Sequence, residues 1–250
     1  MELIIPEWAG APDNVGALST TRRGGSSLGP YDDGAGGGGM NLGVHVGDEP
    51  DTVRRNRARL RSVLPSEPAW LSQVHGTRVV DASQAGMVPE ADASISTRPG
   101  TVCAIQTADC LPVLFCDAGG KVVGAAHAGW RGLAGGVLEN TVACMRAEGA
   151  SEILAWLGPA IGPQSFEVGQ DVHDAFAGKD GGMVNAFQPV ADNPGKYLAD
   201  IYALARHTLE WVGVKRISGG GLCTVSDQSR FYSYRRDKLT GRMASLIWLK

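Results

Sequence analysis

Apolar positions repeat along this chain with two different periods. In the stretch 133–148, Leu133, Val137, Leu138, Thr141, Val142 and Met145 recur at the 3.6-residue spacing of a helix with one buried face. In 197–212, Tyr197, Ile201, Leu204, Ala205, Thr208 and Trp211 do the same. Gly149 and Gly213 stand where helix C-caps belong. Two further helices are expected over 50–63 and 168–177. Short runs rich in Val, Ile and Leu predict strands over 15–21, 78–82, 102–106, 111–116, 121–127, 153–157, 214–218 and 243–249. This mixed order, with hairpins in place of strict βαβ alternation, predicts one α+β domain over 1–250, of packed mixed sheets with outer helices. The glycine-rich stretch Gly29–Gly39 has no apolar period, fits no phosphate-loop spacing and reads as a mobile loop.

The most informative segment is ADCLPVLFCDAGGKVVGAAHAGWRG, which starts at Ala108. Two near-continuous apolar runs, Leu111–Cys116 and Val122–Ala126, flank Ala118-Gly119-Gly120, which predicts a hairpin covered on both faces. With Ala118-Gly119 as the loop, Cys110 falls opposite His127, with Cβ atoms about 4.5–5.5 Å apart. With Gly119-Gly120 as the loop, Cys110 faces Gly129 and His127 becomes its diagonal neighbour. Either register joins a thiol to an imidazole. After His127, Gly129–Gly132 enter a predicted helix with free backbone N–H groups, and Arg131 stands beside them. That arrangement suits an anion such as phosphate. His75, in Gln73-Val74-His75-Gly76, and His45 are equally eligible as a third metal-capable residue. His173 and His207 fall inside helical patterns and read as structural, and Cys103, Cys116 and Cys144 read as core filler.

Composition narrows the classes. The 23 Lys+Arg against 26 Asp+Glu, net −3, leave no basic footprint for nucleic acid or anionic membrane. No apolar run approaches the ~18 residues of a membrane span, and MELIIPEWAG lacks the features of a secretory signal, so a cytoplasmic protein is expected. Five scattered cysteines argue against a disulfide framework. Five histidines cannot furnish the imidazoles of a multicopper oxidase, so any metal sits at one small site. Monomer and homodimer are both open.

Several motifs occur together in a fixed order. They are STTRRGG, NLGVHVGDEP with VRRNR, WLSQVHG, ADASIST, CAIQTADCLPVLFCD, AAHAGWRG, LGPAIGP with FEVG, and FYSYRRDKLTGRMASLIWL. Over nearly its full length the chain closely resembles the YfiH family of bacterial laccase-domain, or polyphenol oxidase-like, proteins. The resemblance implies a fold likened to toxin-type Cys–His hydrolases. It also implies one metal ion, generally zinc with copper as the alternative, on His75, Cys110 and His127. The implied activity is phosphorolysis of adenosine, inosine, guanosine and methylthioadenosine, with deamination of adenosine by zinc-activated water. On that reading Arg131 holds phosphate, and Asp109, with the metal residues, is catalytic and assists proton transfer. Asn41, Arg22 and Gln73 are expected substrate contacts by their place in family motifs. Two other activities compete: an amide hydrolase acting on cell-wall precursors, with Cys110 as nucleophile and His127 as base, and copper-dependent phenol oxidation. The glycine-rich stretch before Met40 departs from the family pattern.

Overall fold

The apolar runs condense into two sheets packed face to face. In the computed structural model, which describes residues 1–84, 88–179 and 181–250, the larger sheet has six strands. Their order is Arg216–Gly219, Ile153–Leu157, Leu111–Asp117, Val123–Ala128, Ala93–Ser96 and Val79–Asp81. The second sheet runs Leu3–Ile4, Val15–Thr20, Met243–Leu249, Val102–Thr107 and Pro68–Ala69. Both mix parallel with antiparallel pairs. Cys103, Ile105, Leu114, Val123, Leu154 and Ile247 fill the space between them. The outer face of the larger sheet carries the helices Val137–Ala147 and Ile201–Trp211, joined to it through Phe115, Ala126, Leu138, Met145, Leu204 and Leu209. The outer face of the second sheet is covered by Pro50–Arg61, through Leu60 against Leu18, Ala104 and Leu246. The resulting order is helix, sheet, sheet, helix. Every residue of both hairpin strands is buried, as their continuous apolar runs require.

The hairpin takes the second of the two registers. Leu111 pairs with Ala128 and Pro112 with His127, so Cys110 faces Gly129. Asp117 decides this. Its carboxylate accepts from the amides of Gly119, Lys121 and Val122 at 3.0, 2.6 and 2.7 Å, which closes a wider loop than two residues allow.

Other boundaries differ for local reasons. The predicted helix 133–148 is two helices, Trp130–Gly135 and Val137–Ala147, broken at Gly136 with φ 106°. The stretch predicted as helix from 197 begins as a strand, Lys196–Ala199, and turns helical only where the Asp200 carboxylate caps the amides of Tyr202 and Ala203. Likewise Glu167–Gly169 is a strand ahead of the helix Gln170–Ala177. The glycine-rich stretch, expected to be slack, is tied at both ends. Asp33 accepts from the amides of Ala35 and Gly37, Gly39 bridges to Arg23 and Ser27, and the Arg22 guanidinium donates to the Asp32 carbonyl at 3.0 and 2.9 Å. Among the described residues, no helix is long and apolar enough to cross a membrane.

Candidate metal centre

The three side chains come from three neighbouring pieces of chain. Cys110 precedes the first hairpin strand, His127 lies next to the end of the second, and His75 sits on the turn that leads from Pro68–Ala69 in one sheet to Val79–Asp81 in the other. Their ligand atoms all lie within 4.8 Å of one another, and this is the metal-capable cluster found among the described residues. Cys110 Sγ is 3.7 Å from His75 Nε2, and the two imidazoles meet edge to face at 4.7 Å between centroids.

Two of the three non-glycine residues with positive φ belong to this site: His75 at 61° and Asp109 at 90°. Such backbones cost roughly 1–3 kcal/mol each and persist only where neighbours over-determine them. For His75 the determinant is Asp92, fully buried, whose carboxylate accepts from the amides of Val74, His75 and Gly76 at 3.2, 2.9 and 2.7 Å. For Asp109 it is Thr224, whose hydroxyl donates to one carboxylate oxygen at 2.6 Å, and Arg235, whose amide donates to the other at 2.6 Å.

Asp92 also fixes His127. The imidazole Nδ1–H donates to its carboxylate at 2.8 Å, and the His127 amide donates to the Asp92 carbonyl at 2.7 Å. This leaves the Nε2 lone pair for a metal, the carboxylate–histidine arrangement that tunes metal ligands. Burial works against ionisation of Asp92, but the His127 imidazole and the amides of Gly76 and Val74 outweigh it and hold the carboxyl below its usual range. Burial likewise opposes charge on Cys110, yet the His127 and His75 imidazoles bring the thiol well down. In His127 burial is outweighed by Cys110 and Asp92, which raise it. Cys103 and Cys116, without such partners, are pushed up to about 12 by burial. Two imidazoles and one thiolate, with a carboxylate orienting one of them, fit a borderline-soft divalent ion and leave one tetrahedral position open.

Gly129 sets the clearance around these ligands. A Cβ there would stand 2.7 Å from His75 Cδ2 and 3.1 Å from Cys110 Sγ. Gly129→Ala is expected to push His75 away and weaken metal binding at least about tenfold, while overpacking costs the fold only about 1–3 kcal/mol. Chelator competition alongside thermal melting checks both.

Two hollows meet at the cluster, and His75, Ala108, Cys110 and Tyr234 line both. The larger, about 700 Å³, adds Arg57, Trp70, Gln73, Gln106 and Arg242. The other, about 610 Å³, adds Trp130, Arg131, Phe166, Lys196 and Arg235. Of the expected contacts, Gln73 lines the first hollow, its amide locked to the Gln106 backbone by two bonds of 2.8 Å, and Arg131 lines the second, its guanidinium 4.4 Å over the Trp130 ring.

Asn41 and Arg22 are elsewhere and committed. Asn41 is fully buried, bonded to Asp48, Gly43 and the Arg242 amide, and Arg22 spends its guanidinium on Asp32 and Gln228. In this structure both side chains brace the surrounding loops. Both carboxylate oxygens of Asp109 hold the turn that presents Cys110, and the residue lines the second hollow. His45 reaches the larger hollow but stands outside the cluster, and His173 stacks on Tyr197 at 4.5 Å.

Asp92, Arg57 and Arg242 are the residues that sequence reasoning did not single out. Asp92 carried a signal: an acid leading into the small-residue run Ala93–Ser96 needs a buried partner.

The chain has close relatives among known proteins. A family model described as "Multi-copper polyphenol oxidoreductase laccase" matches residues 16–250. The chain is 55% identical over 251 residues to a protein of Escherichia coli named "Purine nucleoside phosphorylase YfiH", covering 99% of each chain. It is 53% identical over 247 residues to a Pseudomonas aeruginosa protein also named as a purine nucleoside phosphorylase, covering 99% of this chain and 98% of the other. A crystallised Neisseria meningitidis protein superposes with TM-score 0.92 at 50% identity over the whole of both chains. A Bacillus licheniformis protein titled YfiH gives 0.86 at 31% identity, covering 94% and 93%. The plural copper in the family description has no counterpart in one three-ligand cluster among the described residues. On these matches, the chain belongs to the YfiH family of laccase-domain proteins.

Proposed function

We propose that this protein is a metal-dependent purine nucleoside phosphorylase. It acts in the cytoplasm on adenosine, inosine, guanosine and methylthioadenosine, and it also deaminates adenosine. His75, Cys110 and His127 hold the metal, zinc before copper. The observation that carries this reading is the placement of the cluster between two hollows, each within the ~300–1,000 Å³ typical of small-molecule sites. A nucleoside and a phosphate must meet at one carbon, and two compartments opening on one reactive point suit two reactants. The names of the relatives at 55% and 53% identity support the same choice.

In phosphorolysis a phosphate oxygen bonds to the anomeric carbon as the carbon–nitrogen bond breaks. Its electron pair leaves on the purine, which takes up a proton. Bound zinc would supply a Lewis acid beside the reacting groups. The protein's part is positioning. Asp92 keeps His127 in one tautomer, Asp109 holds the Cys110 turn, and Trp130, Phe166 and Tyr234 offer aromatic faces to a base.

The test is incubation of the metal-loaded protein with adenosine, with and without phosphate, and chromatography of the products. Phosphate-dependent adenine and ribose 1-phosphate are expected, with inosine as a second product. Inosine alone would leave a deaminase.

One geometric observation favours a second reading. Cys110, His127 and Asp92 are ordered as nucleophile, base and orienting carboxylate, which suits an amide hydrolase on a cell-wall precursor. A trapped acyl group on Cys110 of the metal-free protein would establish it.

A further inference from the structure

Charge in a protein wall is normally answered by charge. Among the described residues, the arginines in ion pairs are Arg22, Arg23, Arg54, Arg216, Arg230 and Arg236. Arg57 and Arg242, both half-buried in the wall of the larger hollow, are in none of these pairs, although Glu67 acts on Arg57 through space, and no Asp or Glu lines that hollow. Burial draws both guanidiniums below their usual range, a sign that each has lost water, although guanidinium stays charged near neutrality.

Their internal hydrogen bonds are arranged so that each keeps a pair of donors in reserve. Arg242 spends Nη1 on the carbonyls of Thr240 and Gly241 at 3.1 and 3.0 Å, which leaves the Nε–Nη2 edge. Arg57 spends Nε on the Leu42 carbonyl at 3.0 Å while its guanidinium lies 4.1 Å over the Trp70 ring, which leaves the Nη1–Nη2 end. Each remaining pair matches two oxygens of a tetrahedral oxyanion. Both residues share the hollow with Cys110, His75 and His127.

The second hollow differs in that acids share its wall: Asp109 and Glu167 line it beside Arg131 and Lys196, Arg235 donates to the Glu167 carbonyl and lies over Phe166, and the Lys238 ammonium stands over Tyr234.

We infer that Arg242 and Arg57 form the oxyanion subsite of the larger hollow, that they and not Arg131 hold the phosphate, and that the second hollow with Trp130 and Phe166 takes the nucleoside. The choice of phosphate among oxyanions rests on the phosphorylase reading; the subsite itself does not.

The experiment is calorimetric titration of inorganic phosphate, without nucleoside, into the metal-loaded full chain and its R242Q, R57Q, R242K and R131Q variants. Thermal melts run alongside, and the KM values for phosphate and adenosine are measured afterwards. R242Q and R57Q are each expected to weaken phosphate binding about tenfold or more, the loss of hydrogen bonds to a charged ligand. R242K, which keeps charge without the fork, should fall between, and R131Q should stay within about twofold. In turnover the phosphate KM should rise while the adenosine KM holds. Phosphate affinity unchanged in R242Q and R57Q, or lost only in R131Q, overturns the assignment, as does a wild-type protein that binds no phosphate. Phosphate binding lost in R242Q from a protein that cleaves no nucleoside would sink the phosphorylase reading and leave the subsite standing.

Discussion

Cys110→Ala is expected to leave the fold standing and remove the metal and the activity together. The substitution deletes one sulfur from a residue that is only half-buried, at the mouth of a strand whose packing is carried by Leu111, Val113 and Phe115. A change of about 1 kcal/mol or less in metal-free stability follows. The metal loses its one anionic ligand, and two imidazoles alone bind a borderline-soft ion far more weakly. Metal content after dialysis should drop below detection, and phosphate-dependent adenine release should fall by about three orders of magnitude or more. Turnover retained in the variant would remove the metal cluster from the mechanism. Cys110→Ser separates the two readings of the thiol. A serine hydroxyl is a poor zinc ligand, so a phosphorylase loses metal, whereas an amide hydrolase keeps its fold and metal-independent substrate binding while losing acyl transfer.

How far the sequence could lead is visible in single residues. Continuous apolar runs placed the hairpin strands correctly, because a strand buried on both faces has no other way to be written. They could not choose the register. That was settled by the Asp117 carboxylate gathering three loop amides, an interaction between a side chain and its own turn that hydrophobic periodicity does not carry. Gly136 breaks a helix whose apolar spacing runs straight through it, since the period survives a kink.

The strand Ala93–Ser96 is short and its side chains are mostly small, so it lacked the Val/Ile/Leu signature, yet it is fully buried and pairs on both sides, with Val123–Ala128 and Val79–Asp81. The candidate contacts divide for a related reason, since Gln73 and Arg131 line the hollows and Asn41 and Arg22 do not. Asn41 and Arg22 sit in motifs typical of the family, but a motif does not say whether a polar side chain faces a ligand or a loop carbonyl. Here both face loops. Arg57 and Arg242 were invisible because their significance is the lack of an ion pair within a shared hollow, which only three dimensions reveal.

Asp92→Asn should be damaging in a different way from Cys110→Ala, and the contrast tests what orients the site. The Asp92 carboxylate has four donors aimed at it: His127 Nδ1 and the His75 amide on Oδ1, and the amides of Val74 and Gly76 on Oδ2. An amide side chain offers one acceptor oxygen and one NH₂, so in either orientation two donors face a donor in a fully buried place. Losing two hydrogen bonds to a charged acceptor, at about 1.5–3 kcal/mol each, puts the stability cost near 3 kcal/mol or above, measured by denaturant titration of the metal-free protein. With the NH₂ on the Oδ1 side, the positive φ of His75 loses what enforces it, and His127 is released to the other tautomer, whose proton occupies the nitrogen that faces the cluster; with the NH₂ on the Oδ2 side, the turn loses its Val74 and Gly76 bonds instead. Metal affinity should therefore fall about 10–100-fold by chelator competition even though all three ligands are present. Metal bound as tightly in Asp92→Asn as in the wild type would show that the ligands hold their geometry unaided and that Asp92 serves the fold alone. A joint loss of stability and affinity, set against the affinity-only loss in Cys110→Ala, identifies the buried carboxylate as the part that couples the folding of the two sheets to the assembly of the metal site.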